Sequence, residues 1–152
     1  RALLALALAL AASPLLSAPP VPAGARQEVA AATGQWAETL RLNDPEKIAR
    51  LCAADSVLWG TLSPTVRADP AAVRDYFVTA FEVLPGLEVS FGEQHIRVYG
   101  DAAVNTGYYT FSYRRYGETK TLPARYSFTF VKAKDGWVIV DHHSSAMPAA
   151  PR

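Results

Sequence analysis

From Leu87 to Ala146 the chain carries four long stretches rich in apolar, aromatic and β-branched residues, with little between them but turn signals. Gly100-Asp101, the segment from Arg114 to Glu118, and Lys134-Asp135-Gly136 each sit where a chain can reverse. Strands joined this tightly pair as antiparallel neighbours, because a parallel return needs a crossover of a dozen or more residues. The last pair is the strongest. Arg125 to Pro148 reads RYSFTFVKAKDGWVIVDHHSSAMP, a predicted hairpin whose second strand ends in the polar run Asp141-His142-His143-Ser144-Ser145.

Side chains alternate across a strand, so parity assigns faces. In the first arm of the hairpin Leu122, Ala124, Tyr126, Phe128 and Phe130 share one parity; Pro123, Arg125, Ser127 and Thr129 share the other. In the second arm Val138 and Val140 fall with His142 and Ser144, while Trp137 and Ile139 fall with Asp141, His143 and Ser145. Both faces are then apolar over much of the hairpin. A sheet with helices on one side only should be polar on the other, so a second copy of the chain is expected over the outer face. Further upstream, Leu87, Val89 and Phe91 have one parity and Ile96 and Val98 the opposite one. A β-bulge just after Gly92 reconciles them.

Before Pro85 the pattern is mainly helical. Val29, Thr33, Trp36 and Leu40 recur at steps of four, three and four, which predicts a helix over about 27–42. Asn43 interrupts it. Asp44-Pro45 and Asp69-Pro70 each place a capping carboxylate before a proline at the first helical position, predicting a short second helix and a third over about 71–83. Two short strands, 56–62 and 65–68, are expected between them. Helices then strands, with no βαβ alternation, give an α+β domain: three helices packed on one face of a curved, mainly antiparallel sheet.

Residues 1–25 are expected to be a signal peptide. Ala2 to Leu16 is almost wholly Leu and Ala, too short for a relaxed bilayer span, and Ala23-Gly24-Ala25 offers a cleavage signature. The expected mature domain covers 26–147, with a loose Pro/Ala tail over 148–152. An exported chain, periplasmic or secreted, follows. Without the first 25 residues the chain has 14 basic and 14 acidic side chains. That balance leaves no electrostatic footprint for nucleic acid or an anionic membrane. The single cysteine, Cys52, excludes an intrachain disulfide and reads as a small core residue.

The chain has no G-x-S-x-G elbow, Gly-rich phosphate loop, H-E-x-x-H or C-x-x-C. No metal and no cofactor is expected. His142 and His143 point to opposite faces. Asp141 and His143 share a face but lie ~6.5 Å apart along a strand, too far for a dyad of these two alone. The candidates that remain are polar residues interrupting apolar segments: Trp59, Arg67, Tyr76, Tyr109, Arg125, His142, His143 and Ser145. Arg125 is the most suggestive, because a guanidinium amid Ala124, Tyr126 and Phe128 needs solvent or an anion. In this reading Arg125, assisted by Arg67, clamps a small organic carboxylate, while His143, Tyr76 and Tyr109 orient it. A lyase, isomerase or cyclase is the alternative, with His143 or Asp141 as the candidate general base. A third reading is an assembly module with a vestigial pocket.

Arg125, Lys134-Asp135-Gly136-Trp137 and Val140-Asp141-His142-His143-Ser144-Ser145-Ala146-Met147-Pro148 together resemble the C-terminal hairpin of the calcium/calmodulin-dependent protein kinase II association (hub) domain. The bacterial stand-alone relatives of SgcJ/EcaC type, within the SnoaL-like, cystatin-like cone superfamily, are the most similar. The resemblance implies a conical α+β fold, a pocket between sheet and helices, and assembly through the sheet's outer face. It also implies that Arg125 and His143 occupy positions where hub domains bind small carboxylates from inside the pocket. A second pocket arginine is unmatched in the segment from Asn105 to Tyr109. No kinase segment is present.

Overall fold

The computed structural model describes residues 24–149. The expected leader therefore lies outside the described residues except for Gly24 and Ala25, and the tail except for Pro148 and Ala149. The elements run α1 (Ala25–Arg41), α2 (Pro45–Ala49), β1 (Cys52–Trp59), α3 (Pro70–Val83), β2 (Glu88–Tyr99), β3 (Ala102–Arg115), β4 (Glu118–Ala133) and β5 (Gly136–Ala146). One sheet has the order β1-β5-β4-β3-β2. All its pairings are antiparallel except β1 with β5. The expected α+β arrangement of helices before strands is observed. The two short strands are not: β1 is one strand, and the segment after it returns only as a backbone bridge between Leu58 and Arg67. Pro64 between them removes a donor that a longer ladder would need.

The buried stripe of α1 is Ala25, Val29, Thr33, Trp36 and Leu40, the spacing that lays one helical face on the sheet. Asn43 ends the helix with φ +50°, and its side chain then clasps the start of β2. Its Nδ2 donates to the carbonyls of Leu40 (3.0 Å) and Leu87 (2.9 Å), and its Oδ1 accepts from the Leu87 N–H (3.1 Å). Asp44 caps α2 by accepting from the N–H groups of Glu46 and Lys47, and Asp69 caps α3 by accepting from Ala72. A second tie joins α1 to the sheet. Asn105, fully buried, donates to Thr33 Oγ1 (3.0 Å) and Gln94 Oε1 (2.9 Å) and accepts from the Tyr126 hydroxyl (3.3 Å).

All three helices lie on one side of the sheet. Facing them are Tyr109, Phe111, Tyr126, Phe128, Phe130 and Ile139, which form the core with Trp36, while the half-buried Val89 and Phe91 pack against it. Trp36 meets Phe128 edge-on at 5.1 Å and stacks against Tyr109 at 6.3 Å. The predicted bulge is present. Phe91 pairs with Tyr109 and Gln94 with Gly107, so β2 carries one extra residue there. Gly107 permits it, since a Cβ at this position would collide with the Glu93 carbonyl. A second bulge breaks the parity reading. Thr129 pairs with Asp141 but Phe130 with Ile139, leaving Val140 as the extra residue of β5. Ile139, His142 and Ser144 therefore face the helices, and Asp141, His143 and Ser145 face away.

Two glycines separate packing from propensity. Gly107→Ala should lower unfolding free energy by about 1–3 kcal/mol, the usual cost of forcing a group into a filled site. Gly34 lies in α1 with nothing near its missing Cβ, so Gly34→Ala should raise stability by about 1 kcal/mol. Urea titration of the two variants against the parent chain checks both signs.

Candidate functional site

A narrow slot lies between the covered face of the sheet and helices α1 and α3. Its walls are apolar, chiefly Trp36, Leu40, Phe77, Leu84 and Phe111. Its cavity volume is about 20 Å³, room for about one water molecule. The loop after β1 brings Thr61 and Leu62 to it, α3 brings Tyr76, and β5 brings His142 and Ser144. His142 stacks on Phe128 with ring centroids 4.0 Å apart and meets the edge of Trp36 at 5.2 Å. Its Nε2 is 3.3 Å from the Tyr109 hydroxyl. Ser144 and Thr61 hydroxyls bond to one another across the slot.

The slot carries no formal charge at neutral pH. Burial, and to a smaller degree the neighbouring His143, push the His142 imidazole down to about 3. Burial also raises the phenols of Tyr109 and Tyr76 above their ordinary values. Trp36 Nε1 is buried without an acceptor among the described residues.

The residues singled out from the sequence separate into two groups. Tyr76 lines the slot, and Tyr109 bonds to His142, which also lines it. Arg67 is half-buried, bridges to Leu58 through its backbone and donates from Nε to Ser63 Oγ (3.1 Å). It does not line the slot. Arg125, His143 and Ser145 do come together, but on the outer face, around a shallow depression that also includes Ser127. Trp59 sits beside His143 in the β1–β5 register and is 49% exposed. The expectation that Arg125, His143, Ser145 and Trp59 point into the space beneath the helices is thus corrected. Arg125 alternates with the buried Ala124 and Tyr126, and the Val140 bulge turns His143 and Ser145 outward.

On the outer face Arg125 donates from Nε to Ser145 Oγ (3.2 Å). Asp141 is half-buried; burial raises its carboxyl and the nearby His143 partly opposes that. Among the described residues no hydrogen bond joins Asp141 to His143, and no three metal-ligating side chains converge. Burial pushes the Cys52 thiol up to about 11, which keeps it protonated.

Sequence reasoning missed Ser144 and Thr61, and it set His142 behind His143 as a pocket residue. The available signal was in β5. Trp137 and Ile139 are large and apolar, yet Asp141 and His143 of the same parity are polar, the same kind of switch that betrays the bulge after Gly92.

A buried neutral histidine makes stability depend on pH. The unfolded chain binds a proton at His142 below about 6.5 while the folded chain does not until about 3. Stability is therefore complete above 6.5 and falls as pH drops, by up to about 1.4 kcal/mol per unit. Denaturation of parent and His142→Phe between pH 7 and 5 should show this slope in the parent and its loss in the variant.

The family described as calcium/calmodulin dependent protein kinase II association domain matches residues 25–148. A crystal structure from Xanthomonas campestris, described as an association domain of that kind, is 34% identical, with TM-score 0.77 over 91% of this chain and 100% of the other. The hub homology domain of the Chlamydomonas reinhardtii kinase is 19% identical, with TM-score 0.67 over 82% of this chain and 98% of the other. An NTF2-like protein with a cystatin-like fold from Novosphingobium aromaticivorans is 16% identical, with TM-score 0.72 over 82% and 83%. No curated protein matches the chain. The last two likenesses concern the fold alone, and the α+β sheet with its helices on one side agrees with them. The chain belongs to the calcium/calmodulin-dependent protein kinase II association-domain family.

Proposed function

We propose that this chain is a self-associating protein that assembles through the outer face of its sheet and binds a small organic molecule. The carrying observation is the one-sided cover: among the described residues every helix packs on the same face, and nothing covers the other. Tyr108 is 51% exposed there, near Arg125 in the β3–β4 register, and Trp59 and Val131 are exposed on the same side. The association and hub names of the relatives support the same reading. The apolar cover is narrower than parity suggested, because β4 presents Arg125, Ser127 and Thr129 outward. β4 is the middle strand of the sheet, so polar residues occupy the centre of this face, with Tyr108, Trp59 and Val131 around them.

The carboxylate expectation attaches to the same face. Arg125, His143, Ser127 and Ser145 supply a cation, an imidazole and two hydroxyls around one depression, a set suited to a carboxylate. A partner sheet laid over this depression would exclude water from it and strengthen the Arg125 contact. The leader-like first 25 residues support export to the periplasm or exterior. The lyase, isomerase or cyclase reading is the weaker one, since its two candidate bases, His143 and Asp141, face outward, away from the slot.

Size exclusion with light scattering should show a dimer or larger species at micromolar concentration, and Tyr108→Glu should convert it to monomer with unchanged circular dichroism. A monomeric parent chain overturns the assembly reading. Arg125→Ala should remove thermal stabilisation by small mono- and dicarboxylates and leave the unliganded melting temperature within a degree or two. Equal stabilisation of parent and variant overturns the carboxylate reading.

A further inference from the structure

β3 and β4 run on together past both of their neighbours. The pairing of β2 with β3 ends at Glu88 and Ser112, and that of β5 with β4 ends at Ala146 and Ala124. β3 and β4 stay paired as far as Arg115 and Glu118. The end of this hairpin is therefore a two-stranded ribbon, and every residue from Arg114 to Thr121 is exposed. Its base is held where the Arg114 N–H donates to the Pro85 carbonyl (2.8 Å). The chain from Ser112 to Tyr116 extends about 13 Å. That exceeds the Debye length of about 8 Å at physiological ionic strength, so charges at the tip act largely apart from those of the body.

Two features distinguish the tip. Tyr116 and Gly117 both have positive φ, +53° and +77°, the pattern of a type I′ turn, which ordinarily carries Asn-Gly or Asp-Gly. A bulky residue is unfavourable in that conformation, and no burial offsets it: Tyr116 is 91% exposed, with Arg115 over its ring at 5.6 Å. The second feature is charge. From Tyr113 to Thr121 there are three cations, Arg114, Arg115 and Lys120, against one carboxylate, Glu118, which pairs with Lys120. Parity puts Arg115 and Lys120 on the helix side of the ribbon. Arg114 lies on the opposite side, where it donates to Thr119 Oγ1 (3.2 Å). Cations thus flank the aromatic tip on both sides.

This arrangement selects the kind of partner. The cations do not converge on one point, as capture of a free phosphate requires. The tip is convex, and one aromatic with a few long side chains offers far less than the roughly 1,000 Å² of a stable protein interface. A lipid headgroup layer entered end-on meets both sides of the ribbon at once and needs no matching pocket. Tyrosine is enriched at that depth, and each cation near anionic lipid strengthens binding. The balanced total, which argues against an anionic membrane for the chain as a whole, sums this tip with the body.

We propose that the β3–β4 tip is a contact for an anionic lipid surface, with Tyr116 among the headgroups and Arg114, Arg115 and Lys120 against the phosphates around it. It shares no residue with the slot or with the outer-face depression.

The test uses the chain from Gly24 onward, which holds every described element. It is mixed with vesicles of phosphatidylcholine, alone or with about 30% phosphatidylglycerol, in about 0.1 M salt, and the bound fraction is read by sedimentation. Binding should require phosphatidylglycerol. Arg115→Ser should lower the partition coefficient about fivefold, and Arg114→Ser with Arg115→Ser about 25-fold. Tyr116→Asn suits the turn better, so it should bind more weakly while melting no lower than the parent. Lys134→Ser, in the β4–β5 turn at the other end of the sheet, should bind as the parent does. The full chain with the same substitutions serves if the shorter one does not fold. No binding to the anionic vesicles, equal binding to both kinds, or binding that the tip variants retain overturns the proposal. A loss in Lys134→Ser equal to that in Arg115→Ser reduces the effect to net charge and overturns it too. Polyglutamate held through the same tip residues, with no vesicle binding, identifies an acidic protein partner and overturns the lipid assignment.

Discussion

Val140 adds one residue to β5 opposite a continuous β4, and the strand's side chains change face at that point. Ile139 and His142, three apart, both enter the core, where an uninterrupted strand would have sent one of them outward. His142 then lies flat on Phe128 and against the edge of Trp36, and Ser144 reaches Thr61 on the far side of the slot. The same bulge delivers His143 and Ser145 to the outside, beside Arg125. Both candidate sites take their composition from this single insertion.

The covered face is pinned at several points that do not depend on hydrophobic burial alone. Asn105 joins α1, β2 and β4 through Thr33, Gln94 and Tyr126, with both of its amide hydrogens and its carbonyl engaged. Asn43 ties the end of α1 to Leu87 at the threshold of β2. Such satisfied polar contacts specify orientation where aromatic packing by itself tolerates sliding. The result is a rigid frame of α1 and β2–β5.

The two faces favour opposite chemistry. Beneath the helices every lining group is neutral, and burial holds His142 and Tyr109 uncharged. Outside, Arg125 and His143 keep access to water and to a partner surface.

The order of the three helices and of the four strands β2–β5, the two Asp-Pro helix starts, the stripe of Val29, Thr33, Trp36 and Leu40, and the bulge after Gly92 were all legible in the sequence. Each is a local consequence of capping, proline geometry or side-chain period. The hairpin's first arm was legible too, since its buried Ala124, Tyr126, Phe128 and Phe130 follow strict alternation. The second arm was not, because a bulge is a relation between two strands and Val140 looks like any other strand valine. The side that the helices take was equally hidden: parity divides residues into two sets but does not say which set is inside. That choice rests on where Trp36 and the apolar stripe of α1 find the larger aromatic surface, and on Asn105 being placed to meet Thr33. The sequence by itself determined the helices, the four strands from β2 to β5 and their antiparallel pairing; only tertiary packing decided that β1 lies parallel beside β5, that Arg125 faces outward and that His142 faces inward, because burial free energy belongs to the assembled faces and not to any one strand.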